Sequence, residues 1–358
     1  MQLNVSSENS GIEMGIYTLA DLGEDPNIGQ RISSRQRIKE IIEAAKFADE
    51  AGLDVFGVGE HHRLDYAVSS PAVVLAAIAQ QTKTIKLTSA TTVLSTVDPV
   101  RLFEDFSTLD LLSDGRAEII AGRGAFIESF SLFGYDINDY DALFSEHLDL
   151  LLQLNANETL TWNGRFRSSL HNAEIAPRPV QSKLPVWVGV GGTPESAIRA
   201  GKMGVGMALA ILGGDPKRFM PLVDIYRKSG AEAGYSPEAL NVSVTGHTYI
   251  AKTTQQAKKE FYPYYSNYWS YVNRQRGMGN RNISIEEFEY MTSPDTALFV
   301  GSPQQIVEKI LSQYEMFGHK RFIAQLDIGG LPFDKVMKNI ELLASEVVPI
   351  VRKVTSKS

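Results

Sequence analysis

Short, nearly continuous apolar runs alternate with amphipathic stretches along the whole chain. The runs lie at 12–18 (IEMGIYT), 54–59 (DVFGVG), 85–91 (IKLTSAT), 117–122 (AEIIAG), 185–190 (PVWVGV), 204–210 (GVGMALA), 242–250 (VSVTGHTYI) and 321–327 (RFIAQLD). They are rich in Val and Ile and show little alternation, the pattern of strands covered on both faces in a parallel sheet. Helix starts are marked by a capping residue followed by proline: Ser70-Pro71, Asp98-Pro99, Thr193-Pro194, Asp215-Pro216 and Ser302-Pro303. A cap side chain accepts an orphan amide, and proline at the first helical position gives up no hydrogen bond. Gly52, Gly115 and Gly318 stand where helices should end before the next strand, suited to a left-handed cap. Eight strands with intervening helices predict a closed (β/α)8 TIM barrel in preference to an open doubly wound sheet.

Two stretches break the alternation. Residues 158–184 are polar and turn-rich, and predict a hairpin-like excursion. Residues 261–298 are rich in tyrosine, carry a Gly277-Met278-Gly279 turn, and follow a short helix predicted at about 254–260. An insertion of that length in a compact domain points to a lid or binding loop. With no tandem repeat or low-complexity tract, residues 1–358 read as one barrel domain, with 261–298 as a lid insertion at the carboxyl end of the strands.

Composition narrows the partners. Lys and Arg number 35 against 42 Asp and Glu, a net charge of −7 without basic clusters, which argues against nucleic acid or an anionic membrane as the main partner. Cysteine is absent, which excludes disulfides, thiolate metal sites, iron–sulfur clusters and cysteine nucleophiles. No segment approaches the ~20 apolar residues of a membrane span. The start, MQLNVSSENSGIEMG, lacks the basic and apolar regions of a signal peptide. A cytoplasmic protein is expected.

In such barrels the chemistry sits at the carboxyl ends of the strands. Glu60-His61-His62 follows the second strand. Neighbours on an extended segment point to opposite sides, so one imidazole should face the mouth. A metal site would need two imidazoles on one side plus further ligands, and none of His171, His247 and His319 supplies a convincing partner. A hydrogen-bonding or acid/base histidine fits better, beside the plain alternative of a histidine satisfied by backbone. Ser89-Ala90-Thr91-Thr92 after the third strand allows a flat ligand to approach the backbone, or simply fills a narrow barrel wall. Gly122-Arg123-Gly124 after the fourth offers a guanidinium fork for phosphate or carboxylate, or a surface ion pair. Gly191-Gly192-Thr193 after the fifth runs into a helix N-terminus, an anion site or an ordinary turn. Together they describe a phosphorylated planar cofactor. Lys86 lies at the start of its strand, away from the mouth, so pyridoxal phosphate gives way to flavin mononucleotide, FMN.

The run GLDVFGVGEHH, the block from SSPAVVLAAIAQQ through DGRAEIIAGRG, and the later FGYDINDY, PVWVGVGGTPESA and EVVPIVRK closely resemble the bacterial luciferase-like, flavin-dependent monooxygenases. The resemblance covers nearly the whole chain and is weakest over 255–300. It implies a (β/α)8 barrel that uses reduced FMN and O2 to oxygenate a small organic substrate, one oxygen atom entering the substrate and the other leaving as water. Reduced flavin would come from a separate NAD(P)H:flavin reductase. By position, His61 resembles the family's catalytic histidine, with His62 as the second candidate. Arg123 and Gly191, Gly192 and Thr193 resemble its phosphate cradle, and Ala90-Thr91 the dipeptide beneath the flavin ring, whose peptide bond is then expected to be cis. The chain has no acidic residue before Gly192-Thr193, where luciferases proper have a carboxylate. Two alternatives stay open: an FMN- or deazaflavin-dependent oxidoreductase taking hydride from NAD(P)H without oxygen insertion, and a non-catalytic flavin-binding protein. The apolar helix at 71–81, with the resemblance, predicts a homodimer packed through it and the helix starting at Pro99.

Overall fold

The computed structural model describes residues 11–124, 126–275, 279 and 281–356. Eight parallel strands form the barrel: β1 (Glu13–Thr18), β2 (Val55–Val58), β3 (Lys86–Ser89), β4 (Ala117–Gly122), β5 (Val186–Val190), β6 (Gly206–Ala210), β7 (Val242–Ile250) and β8 (Arg321–Gln325). Each pairs with its neighbour in order, and β8 closes on β1 with Glu13 opposite Arg321 and Tyr17 opposite Gln325. All eight predicted strands are present. The 85–91 run is interrupted: β3 stops at Ser89, Ala90–Thr91 is cis as the resemblance implies, and Thr92–Val93 resumes against the end of β4.

The main core lies between the barrel wall and the surrounding helices, where β-branched and leucine side chains from both meet. Inside the barrel the layers are distinct. At the bottom Arg321, 1% exposed, donates to both carboxylate oxygens of Glu118 and to Glu13, while its guanidinium lies 4.7 Å over the Trp187 ring. Lys86 joins this layer through Glu13, at the end predicted for it. Above it lies a small apolar layer of Val55, Ile120, Trp187, Ala208 and Ile323, with Tyr17 at its top.

The capping signals act unequally. Asp98 and Ser302 accept amide hydrogen bonds from the first turns they cap, whereas Ser70 and Thr193 make no side-chain cap bond. Asp215-Pro216 opens a short 3-10 turn, Pro216–Phe219, that leads into the helix Met220–Glu232. Gly318 ends its helix with φ +57°, the left-handed cap its position predicts.

The excursion at 158–184 contains the antiparallel pair Thr159–Trp162 and Leu170–Glu174. The segment after β7 departs from expectation. The predicted short helix at 254–260 continues to Gln275 through Pro263, so most of the tyrosine-rich sequence is helical. Phe261, Tyr264 and Tyr265 are buried in the core, because the aromatic stripe faces β7 and packs against Tyr249, His247 and Phe288. A second helix, Ile285–Met291, and a short strand, Phe299–Gly301, paired with β7, complete the insertion. Of the two glycines in the predicted turn, Gly279 has φ +72° and Gly277 lies outside the described residues.

Candidate active site

A cavity of about 470 Å³ opens at the carboxyl ends of the strands. Its floor is made by Tyr17, Ile120, Ala208, Thr245 and Ile323, which cap the apolar layer of the barrel. Of the residues singled out by sequence, His61, Ala90, Thr91, Arg123, Gly191 and Thr193 all line it. Six residues from the ends of four strands therefore converge, although up to 132 positions separate them in the chain. Gly192 is adjacent with φ +143°, a conformation open to glycine alone, and it turns the chain from β5 into the next helix.

The wall beside Thr91 is fitted closely. A Cβ on Gly122 would lie 2.4 Å from Thr91 Oγ1, and one on Gly189 would lie 3.3 Å from Thr91 Cγ2. The threonine side chain thus occupies the space that glycine leaves on β4 and β5, and Ala90 and Thr91 form part of the cavity wall.

The anion-competent elements meet on one side. Arg123 donates through Nη1 to Asp141 Oδ1 at 2.5 Å and through Nη2 to Thr193 Oγ1 at 3.3 Å, with its guanidinium 4.9 Å over the Tyr140 ring. Thr193 spends its hydroxyl on Arg123 instead of capping the helix Pro194–Lys202, which leaves that helix's first amides without a side-chain acceptor among the described residues. Both readings of Arg123 are thus visible at once: an ion pair, and a fork next to a helix N-terminus.

The two histidines separate as strand geometry requires. The His61 ring stacks on Tyr66, centroids 3.9 Å apart and planes 10° from parallel, with Phe126 tilted against it at 5.5 Å. Its Nδ1 is buried with no hydrogen-bond partner among the described residues. Burial pushes the His61 pKa down to about 4, so the ring is neutral at physiological pH. His62 lines a different groove, donates through Nε2 to Glu60 Oε1 at 2.8 Å and meets the edge of Phe133. The other Glu60 oxygen accepts from the Val93 amide at 3.0 Å, tying the end of β2 to the strand after Thr91. Glu60 and His62 brace the wall in which His61 sits.

Sequence reasoning passed over Tyr17, Tyr66, Phe126, Tyr140 and Thr245, which line the cavity or pack on its histidine. Tyr17 and Thr245 were within reach of the strand-end rule, since both lie on strands that face the mouth. Tyr66, Phe126 and Tyr140 lie outside the strands and show no periodicity.

The model of the luciferase-like monooxygenase family matches residues 12–320, and the chain belongs to that family. Among curated relatives, the oxygenase component of the flavin-dependent trigonelline monooxygenase of Acinetobacter baylyi is 23% identical over 345 residues, covering 89% of this chain and 92% of that one. Among solved structures, the monooxygenase RslO1 of Streptomyces bottropensis superposes with a TM-score of 0.82 at 23% identity, covering 95% of this chain and 99% of the other. The oxygenating constituent of 3,6-diketocamphane monooxygenase of Pseudomonas putida, a complex with FMN, gives 0.77 at 20% identity, covering 94% and 98%. The protein is accordingly a flavin-dependent, luciferase-like monooxygenase, and FMN is the expected cofactor. Among the described residues no helix is long and apolar enough to cross a membrane.

Proposed function

We propose that the chain is the oxygenase of a two-protein system, receiving reduced FMN from a separate NAD(P)H:flavin reductase and using it with O2 to oxygenate a small organic molecule. One observation carries this reading: a single cavity at the barrel mouth gathers a phosphate fork, a helix N-terminus, a flat small-residue wall and a buried neutral histidine. These features suit FMN at opposite ends. Arg123, the amides after Gly191 and the Thr193 hydroxyl would hold the phosphate. Ala90 and Thr91 would support the ring, with Thr91 in the space that Gly122 and Gly189 leave and Ala90 against Gly57. When bound, reduced FMN supplies the electrons that activate dioxygen.

The chain's own contribution is orientation, dryness and one positioned imidazole. Leu19, Ile120, Val190, Leu212 and Ile323 give the cavity apolar walls, which exclude water from the reacting centre. His61, neutral and held flat by Tyr66, is able to hold or accept a proton at Nδ1 beside that centre. The helix Thr254–Gln275 covers the β7 side of the barrel with Tyr265 and Tyr268 against His247, and we assign residues 261–298 the role of substrate cover. The protein is proposed to act as a homodimer through the helices Pro71–Ala79 and Pro99–Leu112.

Replacement of Arg123 tests the assignment. Losing a charge-assisted phosphate contact costs about 1.5–3 kcal/mol. Arg123→Ala is expected to weaken FMN by roughly tenfold or more at 1.4 kcal/mol per decade, and to leave riboflavin, which has no phosphate, nearly unchanged. Equal losses for both flavins in an equilibrium titration reject the phosphate site.

A further inference from the structure

We propose that Asp141 is an internal competitor for the flavin phosphate, occupying one end of the Arg123 fork so that the cofactor binds by exchange and remains easy to release. The inference rests on the reading of Arg123 as phosphate ligand and adds to it a residue that works against binding.

A guanidinium presents its terminal N–H groups to carboxylate and phosphate with the same geometry, so the two anions contend for one fork. In this structure the fork is divided. Nη2 already addresses the cradle through Thr193, while Nη1 is held by Asp141 at 2.5 Å. The Tyr140 ring lies beneath the guanidinium, and an anion that engages both nitrogens competes with Asp141 at Nη1. The two partners differ in what release costs them. The Arg123 side chain is 18% exposed and borders the cavity, whereas that of Asp141 is 69% exposed. Among the described residues the Asp141 carboxylate makes no other hydrogen bond or ion pair, so it swings into water at little cost. Arg199, on the helix that Thr193 precedes, feels both Arg123 and Asp141, and its guanidinium keeps the neighbourhood positive once the carboxylate has left. The site is therefore charged before the phosphate arrives and charged after Asp141 departs, and the carboxylate serves as the removable counter-ion. For a flavin that arrives reduced and leaves oxidised in each cycle, such a counter-ion prevents overly tight retention.

The experiment is a titration of oxidised FMN and of riboflavin, followed by flavin fluorescence, against the parent protein, Asp141→Asn, Asp141→Ala, Arg123→Ala and the double variant Arg123→Ala/Asp141→Asn. Removing a competitor of exposed ion-pair strength is expected to tighten FMN about two- to fivefold in both Asp141 variants, with riboflavin unchanged. In the Arg123→Ala background the Asp141 change is expected to have no effect. A gain that persists without Arg123 overturns the proposal, since it would report only the removal of a negative charge near a dianion. Unchanged or weaker FMN binding in the single Asp141 variants also overturns it, because Asp141 would then brace Arg123 for the phosphate. Failure of the underlying reading shows separately, as equal loss of FMN and riboflavin in Arg123→Ala alone.

Discussion

His61 illustrates how environment selects the form in which a residue works. Its burial and its stack on Tyr66 keep the ring uncharged, with a pKa near 4. His61→Ala is expected to lower product formation by roughly 10²–10⁴-fold while leaving FMN affinity nearly intact, since the proposed phosphate contacts come from the ends of β4 and β5. Product yield per flavin oxidised, measured on variant shown to be folded and flavin-loaded, checks this. The pH profile of the parent enzyme is expected to show no inflection from His61 near 6.5. Parental turnover by the variant would make His61 a structural residue. At this scale the sequence was most readable where strand ends impose a direction: alternation alone separates His61 from His62, and glycine neighbours mark Arg123. It was silent about Asp141 and Tyr66, because a contact between a strand-end arginine and a residue 18 positions later depends on how an intervening loop folds.

Among the elements, the insertion after β7 shows what pattern reading loses. A proline and a cluster of tyrosines argue for loop, yet tertiary packing of Phe261, Tyr264 and Tyr265 outweighs local propensity and extends one helix across the segment. The end of the insertion is pinned by a single amine. Lys309, 4% exposed on the helix Pro303–Phe317, donates to the carbonyls of Ser293, Thr296 and Leu298 at 2.6, 2.9 and 2.8 Å. Lys309→Met removes a donor shared by three carbonyls; those of Ser293 and Leu298 keep the amides of Thr296 and Val300, and that of Thr296 is left unpaired among the described residues, an expected loss of about 1–3 kcal/mol in chemical denaturation. Proteolysis limited to 281–298 is expected to accelerate along with it; unchanged stability would mean that water replaces the amine. A lysine in an amphipathic helix reads from sequence as a solvated charge, and only the folded chain shows the carbonyls that draw it inward.

For the molecule as a whole, buried neutral histidines set the acid limit. His61, His247 and His319 have pKa values lowered by burial to about 4, 3 and 3. Unfolding returns each to its ordinary 6.5, so the unfolded chain binds more protons and stability falls as pH drops below 6.5. Asp21, raised by burial to about 6, and Asp105, also raised by burial, work in the opposite sense, while His147, lowered by burial like the other three, adds to the decline. The thermal midpoint is expected to decline steadily from pH 6.5 to 4.5; a flat profile would contradict the burial of these rings. The second whole-molecule expectation is assembly. Val73 is 69% exposed on the helix Pro71–Ala79, and sedimentation at micromolar protein is expected to show twice the 39.5 kDa chain mass. A monomer alone would reject the dimer. The fold itself was legible because a barrel repeats one unit eight times, whereas the closure of the interior is written in no local pattern. It rests on Arg321, Glu118, Glu13 and Lys86, drawn from four strands and knotted together beneath the cavity. That knot divides labour within the barrel: the load of closing it is borne at one end and the proposed chemistry sits at the other. Mouth residues such as Leu19, Leu212 and Thr245 lie apart from the knot, and changes at distant, independent sites add without compounding. A lineage built on this plan is free to trade one substrate for another by altering its rim, generation after generation, without reopening the question of how the chain folds.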